Sequence, residues 1–224
     1  MATTARATFD RQLQALQDEI SLLGSMVEKA VERSVEALAR LDCNLAREVV
    51  AGDAAIDAKR WQLEEQAITL IATQQPMARD LRVIASVIHI TTDLERMGDY
   101  AAGIAKITLM HGDGPLLKPL IDIPRMTEEA TSMLRRSLDA FMQRDAEAAK
   151  AIAAEDDIVD ALYDQIYREL LTYMIEDPHT IQRATWLLWV AHNLERIADR
   201  VTNICERVVY MVTGKIEEIN VSTY

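Results

Sequence analysis

Two hexapeptides of this chain share one pattern: Leu94-Glu95-Arg96-Met97-Gly98-Asp99 and, a hundred residues later, Leu194-Glu195-Arg196-Ile197-Ala198-Asp199. In each, a glutamate precedes an aspartate by four positions. On a helix, residues four apart share a face, with roughly 6 Å between Cβ atoms. Two carboxylates so placed repel each other, and the repulsion is relieved when a cation sits between them. Carboxylate oxygens without imidazole or thiolate partners suit hard ions: magnesium, calcium, manganese or iron. Zinc would recruit cysteine or histidine, and neither falls in register. Asn203 adds an amide oxygen one turn beyond Asp199, whereas its counterpart in the first copy is Gly103, which adds nothing. The spacing predicts two related sites for divalent or trivalent metal ions, the first weaker than the second.

Each acidic pair faces a second one if the helices form hairpins. Gln74-Gln75-Pro76 and Glu176-Asp177-Pro178 read as tight turns. With a reversal at Pro76, residues equally far from it face each other. Asp99 lies 23 residues after Pro76 and Asp53 lies 23 before it; Glu95 and Asp57 stand 19 residues to either side. A reversal at Asp177-Pro178 likewise sets Asp199 near Asp156 and Glu195 near Asp160. Each half is therefore expected to gather four carboxylates between two helices.

The elements that must hold these groups are legible as apolar residues recurring every three or four positions. They predict six helices over residues 8–41, 45–73, 77–110, 124–143, 145–175 and 179–213, with Pro76 at a first helical position and Gly214 as the final stop. The halves repeat: Thr202-Asn203-Ile204 answers Ala102-Gly103-Ile104 at an offset of 100, and Asp156 and Asp160 answer Asp53 and Asp57 at 103. Short turns make successive helices antiparallel neighbours. The expected fold is all-α: two repeated antiparallel three-helix bundles, 8–111 and 124–214, joined by a linker at 112–123 and related by a pseudo-twofold.

Composition narrows the functional classes. Half the residues are apolar, and 7 Gly and 5 Pro among 224 residues suit long helices. A formal charge of −12 disfavours nucleic acid as a partner. Residues 1–14 lack an apolar signal core, and the apolar run at 186–191 is far short of the ~20 residues a membrane span needs. Cys43 and Cys205 read as reduced cytosolic thiols. No nucleophile–base pair, glycine-rich phosphate loop or HExxH motif is present. His89 and His192 do not follow a glutamate in the Glu-x-x-His spacing of di-iron proteins; His192, three residues before Glu195, is within reach of grazing the second site, but both read first as ordinary core or surface residues. Trp186 and Trp189, in an apolar band with Leu187, Leu188 and Val190, read first as core. The apolar linker around Leu116, Leu117 and Leu120 is expected to pack across the halves. The residues alone leave three readings open: a metal-binding regulatory adaptor without turnover, a helical scaffold with solvated acids, and a carboxylate di-metal oxidase.

The repeated strings resemble the PhoU family of bacterial phosphate-transport regulatory proteins. So do Ala191-His192-Asn193, Leu117-Lys118-Pro119-Leu120 with Asp122-Ile123-Pro124, Leu171-Thr172-Tyr173-Met174-Ile175-Glu176-Asp177-Pro178, and Tyr210-Met211-Val212-Thr213-Gly214. The resemblance runs over residues 9–214. It implies metal, often iron or magnesium-like ions, at Glu95, Asp99, Glu195 and Asp199. It implies a cytoplasmic, often dimeric protein working at the inner face of the membrane without spanning it. It further implies negative regulation of the phosphate-starvation response, coupling the ATPase subunit of the phosphate ABC transporter to a phosphate-sensing histidine kinase.

Overall fold

The structure, a computed structural model, describes residues 2–112 and 114–219. Asp113, part of the expected linker, and Met1 lie outside the described residues. The described residues form seven α-helices: α1 (Ala2–Arg40), α2 (Cys43–Gln74), α3 (Ala78–His111), α4 (Asp122–Gln143), α5 (Ala146–Ala153), α6 (Asp156–Glu176) and α7 (Ile181–Thr213). A single 3₁₀ turn, Pro178–Thr180, precedes α7. No strand occurs among the described residues. Helices α1 to α3 form one antiparallel bundle; α4, the α5–α6 rod and α7 form the other. None of these helices is long and apolar enough to cross a membrane.

Local chemistry explains the ends. Asp42 caps α2, accepting from the N–H groups of Asn44 and Leu45 at 2.9 and 3.0 Å, and Asp145 caps α5 in the same way. Gln75 closes α2 in the left-handed region at φ 46°, and Gly214 closes α7 at φ 77°. Two expectations need correction. Pro76 is not at a first helical position: Met77 is the N-cap of α3, and Pro76 precedes it. The helix expected over 145–175 is broken at Ala154 and Glu155. There the ladder tightens, with Glu155 N–H donating to Ile152 O at 3.0 Å. At this break both carboxylate oxygens of Glu155 are taken by Arg136 of α4, one of them at 2.8 Å.

The two bundles share one core. A single apolar cluster includes Ile20, Leu23 and Val27 of α1, Ile84, Leu94 and Met97 of α3, Met126 and Phe141 of α4, and Leu194, Ile197 and Val208 of α7. Burying each such side chain contributes ~1.5–3 kcal/mol. The most extensive helix contact in the molecule joins α3 to α7, across the halves. At the second cross-half contact, Gly24 of α1 admits Leu138 of α4; a Cβ on Gly24 would stand 2.1 Å from Leu138 Cδ1. The linker is fastened from below. Leu116, Leu117 and Leu120 pack on the core, and the buried Lys118 ammonium pairs with Glu169 of α6. Of the tryptophan band, Leu187 and Val190 are buried, Trp186 packs against the core and against the His111 ring, and Trp189 is half exposed.

Candidate metal centre

Helix α2 lies against α3, and α6 against α7, so each acidic hairpin is closed. In the first half, Asp53 lies over Gly98: its Oδ1 is 3.3 Å from where a Cβ on residue 98 would stand. That registers Asp53 against the Gly98-Asp99 turn of α3. Burial pushes the Asp53 carboxyl above its ordinary range, and repulsion from Asp57 and Asp99 adds to it. Glu95 is likewise raised by burial; Arg96 opposes the rise, while Asp99 and Asp57 reinforce it. The four acids of this hairpin thus feel one another across the helix pair. Arg96 Nη1 approaches Asp99 Oδ2 at 3.1 Å and its Nε lies 3.5 Å from Glu95 Oε2.

The second half is more strained electrostatically. Asp156, the first residue of α6, is buried. Burial, then repulsion from Asp160, Asp199 and Glu195, pushes its carboxyl up to about 7. Glu195 is also pushed up to about 7, by burial and then by Asp199 and Asp160, against the pull of Arg196. Asp160 and Asp199 are both raised, chiefly by burial. Arg196 Nη1 lies 3.3 Å from Asp199 Oδ2, and His192 Nδ1 lies 3.3 Å from Glu195 Oε2. His192, which its spacing from Glu195 sets within reach of this cluster, stands at its rim.

Asn203 is directed elsewhere. Its Nδ2 donates to Asp93 Oδ1 of α3 at 3.4 Å, on the α3–α7 seam. Gly103 faces the same seam, next to the Asn193 amide. The greater tension of the second cluster therefore comes from the depth of Asp156, not from Asn203. Asp93 itself escaped the sequence reading. Its signal was an acid on an otherwise apolar stretch of α3.

All-oxygen donors are the type a hard cation takes. Asp53 Oδ1, Glu95 Oε2 and Glu195 Oε2 are buried oxygens that accept no hydrogen bond, although Arg96 lies 3.5 Å from the second and His192 3.3 Å from the third; such atoms are costly unless compensated. Among the described residues, however, no three Asp, Glu, His or Cys side chains stand close enough together to hold an ion as they are.

The PhoU domain family model matches residues 20–108 and 123–208 of this chain. A phosphate-specific transport system accessory protein PhoU homolog of Clostridium acetobutylicum is 40% identical over 219 residues, covering 96% of this chain and 99% of that protein. The Rhizobium meliloti homolog is 42% identical over 209 residues, covering 93% and 88%. Among solved structures, PhoU from Pseudomonas aeruginosa superposes with a TM-score of 0.88 at 35% identity, covering 92% of this chain and 100% of that one. The phosphate transport system regulatory protein PhoU from Streptococcus pneumoniae gives 0.87 at 33%, covering 93% and 99%.

Proposed function

We propose that this chain, which belongs to the PhoU family, is a regulatory accessory protein of a phosphate-specific transport system, and that its acidic hairpins take up hard metal ions. The observation that carries the first part is identity of 40% to an accessory protein along nearly the full length of both chains. On this reading the protein restrains the phosphate-starvation response. It links the ATPase subunit of the phosphate ABC transporter to a phosphate-sensing histidine kinase, as a cytoplasmic homodimer without turnover of its own.

The metal reading is supported by the four mutually repelling carboxylates of each half. Asp53, Asp57, Glu95 and Asp99 would hold an ion in the first, and Asp156, Asp160, Glu195 and Asp199 in the second. Binding relieves the repulsion, requires side-chain rotations that draw the oxygens together, and displaces Arg96 or Arg196 from the aspartate it contacts. An ion bound to the folded state stabilises it by mass action. A second reading, a scaffold with no metal, is favoured by those arginine–aspartate contacts and by the lack of converged ligands.

Two experiments test the proposal. In a bacterium deleted for its own homologue, a starvation-promoter reporter should be constitutively active and should be silenced by this chain. An unsilenced reporter, with no capture of the transporter ATPase or the kinase on the immobilised protein, would sink the regulatory role. Metal content after gentle purification, and melting with Mn²⁺ against chelator, separate the two metal readings. Retained metal and a rise in Tm support binding; no metal and an unmoved Tm leave the scaffold.

A further inference from the structure

Helix α2 carries two apolar stripes. The inner one, Val49, Ile56, Leu63 and Leu70, recurs every seven residues, is buried, and packs toward α1 and α3. On the opposite side of the helix runs a second: Ala51, Ala54, Ala58, Trp61, Glu65, Ile68 and Ala72, at alternating steps of three and four. All seven are exposed, Trp61 at 62% and Ile68 at 54%. That spacing is the seam of a two-helix contact, whereas a helix covered on one side only is polar on the other. The duplicated half supplies the comparison. At an offset of 103, α6 sets Asp157 for Ala54, Asp164 for Trp61 and Arg168 for Glu65, a face suited to water.

Charge on this face says what would cover it. Glu65 lies in the middle of the stripe and makes no ion pair among the described residues. The two cations beside the stripe are committed within the chain. Lys59 pairs with Glu19 of α1, and Arg60 lies over the Trp61 ring, 4.1 Å from its centroid, with Glu64 at 3.3 Å. One edge of the stripe opens on an α1–α2 groove of about 460 Å³, and Gln12, Gln62, Gln66 and Thr69 give it uncharged hydrogen-bonding walls. A second copy of this chain does not fit. Two such stripes face to face would bury two glutamates with no free cation to meet them, between chains of formal charge −12.

We propose that the outer face of α2 docks one amphipathic helix of a cationic partner protein, with the partner's apolar seam over Ala54, Ala58, Trp61 and Ile68 and a lysine or arginine within that seam on Glu65. Trp61 is the anchor, since a large aromatic side chain standing clear of its own core contributes most when a partner covers it. The alanines let the partner's backbone come close, and Glu65 selects among apolar helices by charge. The inference goes beyond the regulatory reading and is independent of any metal.

The test uses the full chain and two labelled helical peptides about four heptads long. Both have a seam of Leu and Ala with Gln and Lys elsewhere; they differ in one central seam residue, Lys in one and Glu in the other. By fluorescence anisotropy the native chain should bind the Lys peptide about tenfold tighter than the Glu peptide. Glu65→Lys should reverse that order. Trp61→Asp, which copies the residue of α6 at this place, should weaken the Lys peptide about thirtyfold. Trp189→Ala, in the other half, should leave it within about twofold. No binding by the native chain, an order that Glu65→Lys leaves unreversed, or a Trp61→Asp variant within about threefold of native overturns the proposal. If Trp61→Asp fails to fold, Glu65→Lys decides alone. Sedimentation tests the rival occupant: a native oligomer that Trp61→Asp dissociates makes a second copy the cover and overturns the proposal, and an unchanged state supports it. In the reporter strain, silencing by the native chain that Trp61→Asp loses supports the proposal; equal silencing by both overturns it and leaves the regulatory role standing. A native chain that fails to silence sinks the regulatory role alone, and the peptides then decide this inference.

Discussion

Raising the pH should weaken the metal-free protein, and the second acid cluster sets by how much. In the folded chain Asp156 and Glu195 keep their protons up to about pH 7. In the unfolded chain they release them near pH 4. Between those limits the folded state binds more protons, so stability falls as pH rises through this window. For Asp156 the rise from 3.8 to about 7 sets a ceiling of roughly 4 kcal/mol, at ~1.4 kcal/mol per tenfold change in proton affinity. For Glu195, starting from 4.5, the ceiling is roughly 3 kcal/mol. The two acids repel each other, so part of each figure is shared, and the cluster is partly wet. A net loss of about 2–3 kcal/mol between pH 5 and pH 8 is expected. In urea with EDTA, an m-value of ~2–3 kcal/mol/M makes that a fall of about 1 M in midpoint. Other carboxylates also titrate, so the measurement is the difference in slope between the native chain and Asp156→Asn with Glu195→Gln. The double variant should be flatter. Saturating Mn²⁺ should also flatten or invert the slope, because metal binding favours the deprotonated acids. Parallel pH profiles for native and variant chains in EDTA would refute the reasoning.

Three further outcomes follow from particular residues. Glu195→Ala with Asp199→Ala should lower retained metal more than Glu95→Ala with Asp99→Ala; elemental analysis decides, and equal losses would remove the distinction between the clusters. Gly24→Ala should destabilise by about 1 kcal/mol, because displacing Leu138 costs ~1–3 kcal/mol while the helix gains up to ~1; Gly52→Ala, which meets nothing within 4 Å, should stabilise by about 0.5–1 kcal/mol in urea titration. In Ellman's assay Cys43, partly exposed, should react in the native state, while Cys205, buried with its thiol pushed up to about 12, should react only on unfolding.

The helices and their hairpin register were legible because helical rise is uniform. Counting residues outward from Pro76 placed Asp53 against the Gly98-Asp99 turn, where it lies. The features that escaped depend on side chains meeting across elements. Ala154 and Glu155 are both compatible with a helix, so their types do not announce the break, where Glu155 pairs with Arg136 of another helix. Asn203 follows Asp199 by one turn, but α3 offers it Asp93, and the amide turns to that seam. The merging of the bundles had a readable signal. The buried residues of α3 include Val83, Ile84, Ser86, Val87, Ile90, Thr91 and Leu94, a set too wide for one stripe. Such a helix must be covered on several sides, and α7 supplies the cover.

The seam also bears on how the duplicated halves have been able to diverge. Asp93 meets Asn203, and their counterparts a hundred residues along, Asn193 and Gly103, meet each other. Had two separate identical chains met this way, every substitution would strike both contacts at once, and an acid facing an amide on one side would face the same amide on the other. Covalent fusion removes that obligation. A charged contact and a bare one coexist on a single seam, and the two ends of the molecule are free to differ in chemistry.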